Sequence, residues 1–106
     1  MPQRSMDSQA ETVEHEIAAN LVRQIGQGVR AAEEALVKRY SAGLLYLLKR
    51  HTRDPELALD VRQDALRVVI EKLRTGTIEQ PERLAAYLRG VALNLYRPLE
   101  AAPSEL

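Results

Sequence analysis

Apolar residues recur along this chain at helical spacing, and no stretch alternates with the period of two that marks a strand. The first helix is predicted from about Gln9 to Ile25, with Val13, Ile17, Leu21 and Ile25 on one stripe, and Gly26-Gln27-Gly28 breaks it. The second runs from about Arg30 to His51, turning Ala32, Leu36, Tyr40, Leu44, Leu47 and Leu48 inward. Asp54 caps the third, Pro55 takes its first position and Glu56 lies near the positive end of its dipole. Leu57, Val61, Ala65, Val68, Val69 and Leu73 form its apolar stripe, and Thr75-Gly76-Thr77 ends it. Pro81 opens a fourth helix with Leu84, Leu88, Val91, Ala92 and Leu95 inward, and Pro98 is expected to stop it. The pattern predicts an all-α fold, a compact bundle of about four helices over 9–97, between flexible segments 1–8 and 98–106.

One group on the third helix does not serve that stripe. Asp60, Gln63 and Asp64 stand at i, i+3 and i+4, so they share a face, and no local role for them is evident. An acidic and amide patch opposite a buried stripe is read as a docking surface for a partner protein.

Composition narrows the setting. The chain has 106 residues, enough for one domain that buries roughly 60–70% of its unfolded surface. It has no Cys, which excludes a disulfide framework, a thiolate nucleophile and Cys-ligated metal, and fits a reducing cytoplasm. The longest apolar run, Ala42–Leu48, is too short to span a bilayer and is interrupted by Gly43. The first sixteen residues carry no signal-peptide pattern, so a cytoplasmic protein without a membrane segment is expected. The formal net charge is +0, but acidic residues at both ends leave 17–97 with a small basic excess. That excess permits contact with a nucleic-acid backbone without demanding it.

Catalytic patterns are absent. His15-Glu16 begins like a zinc-protease motif, but position 19 is Ala. His51 stands far from it and reads as a helix-end residue. Gly26-Gln27-Gly28 follows no strand, and no nucleophile elbow or phosphate-binding loop occurs. The carboxylate pairs Glu33/Glu34 and Asp60/Asp64 read as solvated charge. No enzymatic activity, metal or cofactor is expected.

Three segments, in order, resemble the second conserved region of bacterial RNA polymerase sigma factors of the extracytoplasmic-function type. LVRQIGQGVRAAEEALVKRY (21–40) resembles that family's opening helix, glycine break and second helix. DPELALDVRQDALRVV (54–69) is similar to its acidic-apolar-x-Gln-acidic signature through Asp60, Val61, Gln63 and Asp64, with Leu66 where an aromatic is usual. PERLAAYLRGVALN (81–94) is similar to its Pro-Glu start and closing Asn94, with Tyr87 in place of the usual Trp. The resemblance implies a helical domain that binds the clamp helices of the core RNA polymerase β′ subunit and recognises and helps melt the promoter minus-ten element. It implies polymerase contact for Asp60, Gln63 and Asp64. It also puts the loop Arg74–Gln80, including Thr75 and Thr77, with Arg83, Tyr87, Arg89 and Asn94, near DNA.

Physical chemistry is compatible with that division. An acidic and amide patch suits a basic or mixed coiled-coil surface. A melted strand needs a basic track, which Arg74, Arg83 and Arg89 can supply, and groups that stack on or capture bases. Tyr87 can stack, but its place in the apolar stripe favours the core. Asn94 can address a base edge or satisfy backbone groups near the helix end. The chain departs from the family in having no Phe or Trp, and in Leu93 where Arg is frequent. After Asn94 a basic stretch is usual, whereas here the chain reads LYRPLEAAPSEL. No helix-turn-helix for the minus-thirty-five element follows within these residues, so an excised domain or a reduced sigma-like protein is expected. The alternative reading is a sigma-like interaction module that binds a regulator such as an anti-sigma factor without engaging DNA.

Overall fold

The structure, a computed structural model, describes the backbone of residues 2–104 and the side chains of residues 9–96. It consists of four helices: α1 (Pro2–Gly26), α2 (Arg30–Lys49), α3 (Pro55–Thr75) and α4 (Leu84–Ser104). A 3₁₀ turn, Pro81–Arg83, leads into α4, and no strand occurs among the described residues. The all-α bundle of four helices matches the prediction. The outer ends of α1 and α4 extend past the predicted Gln9 and Pro98. The predicted flexible segments 1–8 and 98–106 fall outside the residues with described side chains.

Each boundary has a local cause. Gly28 takes φ 85°, a left-handed conformation, and its amide donates to the Ile25 carbonyl at 3.0 Å. An added Cβ would meet nothing within 4 Å there, so the backbone conformation selects glycine and space does not. The end of α2 is closed by the amides of Arg50, His51 and Thr52 donating to the Leu47 and Leu48 carbonyls. Asp54 Oδ1 accepts from the amides of Glu56 and Leu57 at 3.0 and 3.2 Å, so Asp54 caps α3 as predicted. Pro81, which lacks an amide hydrogen, begins the 3₁₀ turn that the Arg83 amide closes on the Gln80 carbonyl at 2.8 Å.

α3 packs against both α2 and α4, and α1 lies across α2, α3 and the 3₁₀ turn. Glu33 near the start of α2 bonds Arg74 near the end of α3, so these helices run antiparallel. Ile25, Leu36, Leu48, Val69, Leu73, Leu84 and Leu88 are the largest fully buried side chains. Of the apolar positions predicted to face inward, Leu44, Leu48, Val61 and Leu88 are buried, Val91 is half-buried and Val68 is exposed.

Three apolar assignments are corrected. Val68 is 44% exposed although Val61, seven residues earlier and within ~20° of it, is buried: the covered seam Ala58, Val61, Ala65, Leu66, Val69 and Leu73 drifts around α3, and Val68 is left on its trailing side, ~100° from Val69. Val13 is 53% exposed because residues taken strictly four apart drift ~40° per step around a helix. The buried seam of α1 is Ala18, Leu21, Val22 and Ile25. Leu95 is 37% exposed and Tyr96 is buried in its place. Along α4 the covered residues Leu84, Leu88, Ala92 and Tyr96 follow that same drift, so the helix wraps across its neighbours.

Candidate partner and nucleic-acid interfaces

The acidic and amide face of α3 is open. Asp60, Gln63 and Asp64 are all exposed. Asp64 does have a local partner that the sequence reading missed: Arg67, one turn on, donates to its Oδ1 at 2.6 Å. Both side chains are more than half exposed, so this pair contributes little to stability. Gln63 also lines a groove of about 390 Å³ between α2 and α3, floored by Val37, Leu66 and Ile70. Sequence reasoning missed this groove. Its signal was Val37 and Ile70, apolar residues lying off the buried seams.

The second surface lies at the other end of α3. The segment between α3 and α4 is pinned by Ile78, which is 6% exposed and belongs to the core. Around it lies a groove of about 550 Å³ lined by Thr77, Glu79, Gln80, Arg83 and Tyr87, with Lys72 from α3. Three of the residues assigned to DNA, Thr77, Arg83 and Tyr87, are thus brought together. Tyr87 is half-buried against the core and still lines the groove, so it belongs to both settings. Lys72 was missed because the reading of the basic track began at Arg74, a half-turn further along α3.

The remaining assigned residues are dispersed. Asn94 is exposed, seven residues after Tyr87 and therefore within ~20° of it around α4. Arg89 is exposed too, but two residues from Tyr87 places it ~160° away from that face. The Thr75 hydroxyl donates to the Glu71 carbonyl at 3.1 Å inside the last turn of α3. The Thr77 hydroxyl lies 3.4 Å from the Ile78 carbonyl. Arg74 donates from Nε and Nη2 to the two carboxylate oxygens of Glu33, at 2.7 and 2.6 Å, which fastens α3 to α2.

The electrostatics follow these pairs. The hydrogen bond from Arg74 holds the Glu33 carboxyl below its usual range; burial opposes it, and the charges of Arg74 and Arg30 add to the lowering. The same pairing raises Arg74. On α1, burial pushes the Glu14 carboxyl up. Hydrogen bonds from Arg39 and Tyr40, with the charge of Arg39, outweigh it and leave Glu14 below its usual range. Tyr40 donates to Glu14 at 3.0 Å, and burial, then that bond, push its phenol up to about 12.

Little else offers chemistry. His51 Nδ1 lies 3.0 Å from the Leu47 carbonyl, so its N–H closes the end of α2. Among the described residues, no group of three or more His, Cys, Asp or Glu is placed to hold a metal ion. No helix among them is long and apolar enough to cross a membrane. No protein-family model, no curated protein and no solved structure matches the chain.

Proposed function

We propose that this chain is a sigma-factor region 2-like domain of transcription initiation, acting in the cytoplasm as a binding protein with no reaction of its own. In this reading the exposed face of α3, with Asp60, Gln63 and Asp64, docks on the β′ clamp helices of core RNA polymerase. The groove between α3 and α4 takes single-stranded promoter DNA at the minus-ten element.

The observation that carries the reading is the convergence of Lys72, Thr77, Arg83 and Tyr87 on one open groove. Lys72 and Arg83 outnumber the single carboxylate of the groove, Glu79, and can meet phosphates there, and a half-buried ring edges the space where a base would lie. The docking face stands apart from that groove, so both partners can bind at once. Arg83 and Tyr87 are the primary DNA residues, with Thr77 beside them and Asn94 further along the same face of α4. Arg74 and Thr75 act in holding the end of α3, and Arg89, on the opposite side of α4 from Tyr87, has no DNA role in this reading.

A pull-down with core RNA polymerase and with isolated β′ clamp helices tests the docking face. Minus-ten oligonucleotide titration of the resulting complex tests the groove. Capture of neither the polymerase nor the clamp helices overturns the reading.

The groove between α2 and α3 favours a second reading. Its apolar floor of Val37, Leu66 and Ile70 beside Gln63 fits an amphipathic helix of a regulator such as an anti-sigma factor. That regulator would cover Gln63 and compete with the clamp helices. Binding of such a helix without any DNA binding would make this the leading function.

A further inference from the structure

The turn that joins α2 to α3 carries a cluster used by neither proposed interface. Lys49, Arg50 and Arg53 are exposed, and none has an ion-pair partner among the described residues. Of the two carboxylates nearest in sequence, Asp54 is engaged with backbone amides at the start of α3. Glu56 lies in the first turn of that helix, where the dipole favours it.

An aromatic ring accompanies the cations. Tyr46 is 69% exposed, and the Arg50 guanidinium carbon lies 5.9 Å from its ring centroid. Tyr46, Lys49 and Arg50 stand at i, i+3 and i+4, so they share the outer face of α2 at its last turn.

The platform is fixed in place. The Tyr96 hydroxyl of α4 donates to the His51 carbonyl at 2.8 Å, and the two rings meet edge-on at 6.2 Å. The Asp54 amide donates to the Thr52 hydroxyl at 3.1 Å, closing the turn from within. Little conformational freedom of the backbone would be lost on binding.

We propose that this turn is a sequence-independent nucleic-acid contact, in which Lys49, Arg50 and Arg53 meet backbone phosphates and Tyr46 offers its face to an unpaired base. Guanidinium groups match phosphate oxygens in geometry as well as charge. A tyrosine beside arginine supplies a stacking face that tolerates any base. Tyr46 is the one exposed large hydrophobic residue between 46 and 53, and three cations follow it in sequence, so the surface is better suited to phosphates and a stacked base than to insertion into a lipid layer. The turn lies at the opposite end of the 21-residue α3 from the Thr77–Arg83 groove, ~30 Å away. The contact therefore stands independently of the promoter reading.

The test is fluorescence anisotropy of the 106-residue chain with an arbitrary-sequence duplex and an arbitrary single strand, at several salt concentrations. Phosphatidylserine and phosphatidylcholine vesicles form a parallel arm. The variant K49A/R50A/R53A is expected to bind both nucleic acids at least ~10-fold more weakly at low salt. The slope of log affinity against log salt should fall by about 2–3, because three phosphate contacts are removed. Y46A should weaken the single strand more than the duplex, and circular dichroism should show unchanged helix content in both variants. Equal affinity and slope in the triple variant, no nucleic-acid binding by the parent chain at low salt, or binding to the vesicles alone overturns the proposal. R83A separates the two surfaces. If R83A weakens minus-ten strand binding while K49A/R50A/R53A does not, the groove stands and the turn contact falls.

Discussion

A guanidinium that the sequence resemblance assigns to DNA, Arg74, is held instead by Glu33, 41 positions earlier, through two hydrogen bonds. Nothing local in the sequence announces that pairing, because the partners meet only when α2 and α3 pack antiparallel. Tyr40 was legible as an inward residue, but its bond to Glu14 likewise depends on how α1 crosses α2. The carboxyl of Glu33 lies below its usual range in the folded chain, chiefly through the Arg74 bond. A group whose folded pKa is depressed stabilises the fold above its unfolded value, ~4.3, and loses that contribution as pH falls through the lower folded value. Glu14 acts in the same direction. E33Q should therefore melt lower than the parent near pH 7, and the difference should shrink toward pH 3. Thermal melts followed by circular dichroism at the two pH values check this, and a difference that grows in acid would contradict it. Tyr40 adds the opposite edge: its contribution is present below ~10 and is lost as pH rises through about 12.

Elements were the most legible scale, and their faces the least. The cap Asp54, the first-turn Pro55 and the glycine break between α1 and α2 all lie where the sequence placed them. These signals are local, set by backbone donors and allowed dihedral angles, so no tertiary information is needed to read them. Which apolar residue is covered depends on how a neighbouring helix crosses. That is why Val68, Val13 and Leu95 are exposed while Val69, Ala18 and Tyr96 are covered. The outward face of α3 was legible because three polar residues at i, i+3 and i+4 cannot all belong to a buried seam. Reversing Asp60 and Asp64 to Lys should weaken clamp-helix capture at least ~10-fold if each charge contributes about 1 kcal/mol or more to the contact. Stability should change by less than ~1 kcal/mol, because among the described residues the pair lost is the exposed one between Asp64 and Arg67. Clamp-helix titration with a parallel urea melt measures both, and undiminished capture removes the docking face from consideration.

At the scale of the whole molecule, the bundle arranges its open surfaces, the α3–α4 groove and the α2–α3 turn among them, around one buried helix seam. Leu48 anchors that arrangement, being fully buried where α2 meets the rest of the core. L48A should cost about 2–5 kcal/mol in a urea melt, whereas V68A, at an exposed site, should cost less than ~0.5. Equal costs would show that the seam of α3 had been placed wrongly.

The proposed binding at the α3–α4 groove would draw on the same rigidity. Ile78 fixes the loop to the core, so Thr77 and Gln80 are held beside Arg83 and Tyr87. With a formal net charge of +0 and few cations in the groove, the isolated domain should grip single-stranded DNA weakly, and the polymerase complex more tightly. Affinity should fall as salt rises, with each phosphate contact contributing a slope of about 0.7 on a single strand. R83A removes one cation and should lower affinity for every sequence. N94A removes a group that donates and accepts on the face shared with Tyr87, so it should reduce discrimination between bases and leave the salt slope unchanged. R89A, ~160° away around α4, should do neither. Labelled minus-ten oligonucleotides titrated at several salt concentrations against the polymerase complex separate these outcomes. A complex that forms with no sequence preference and no response to R83A would remove the promoter role and leave the regulator-binding reading in its place.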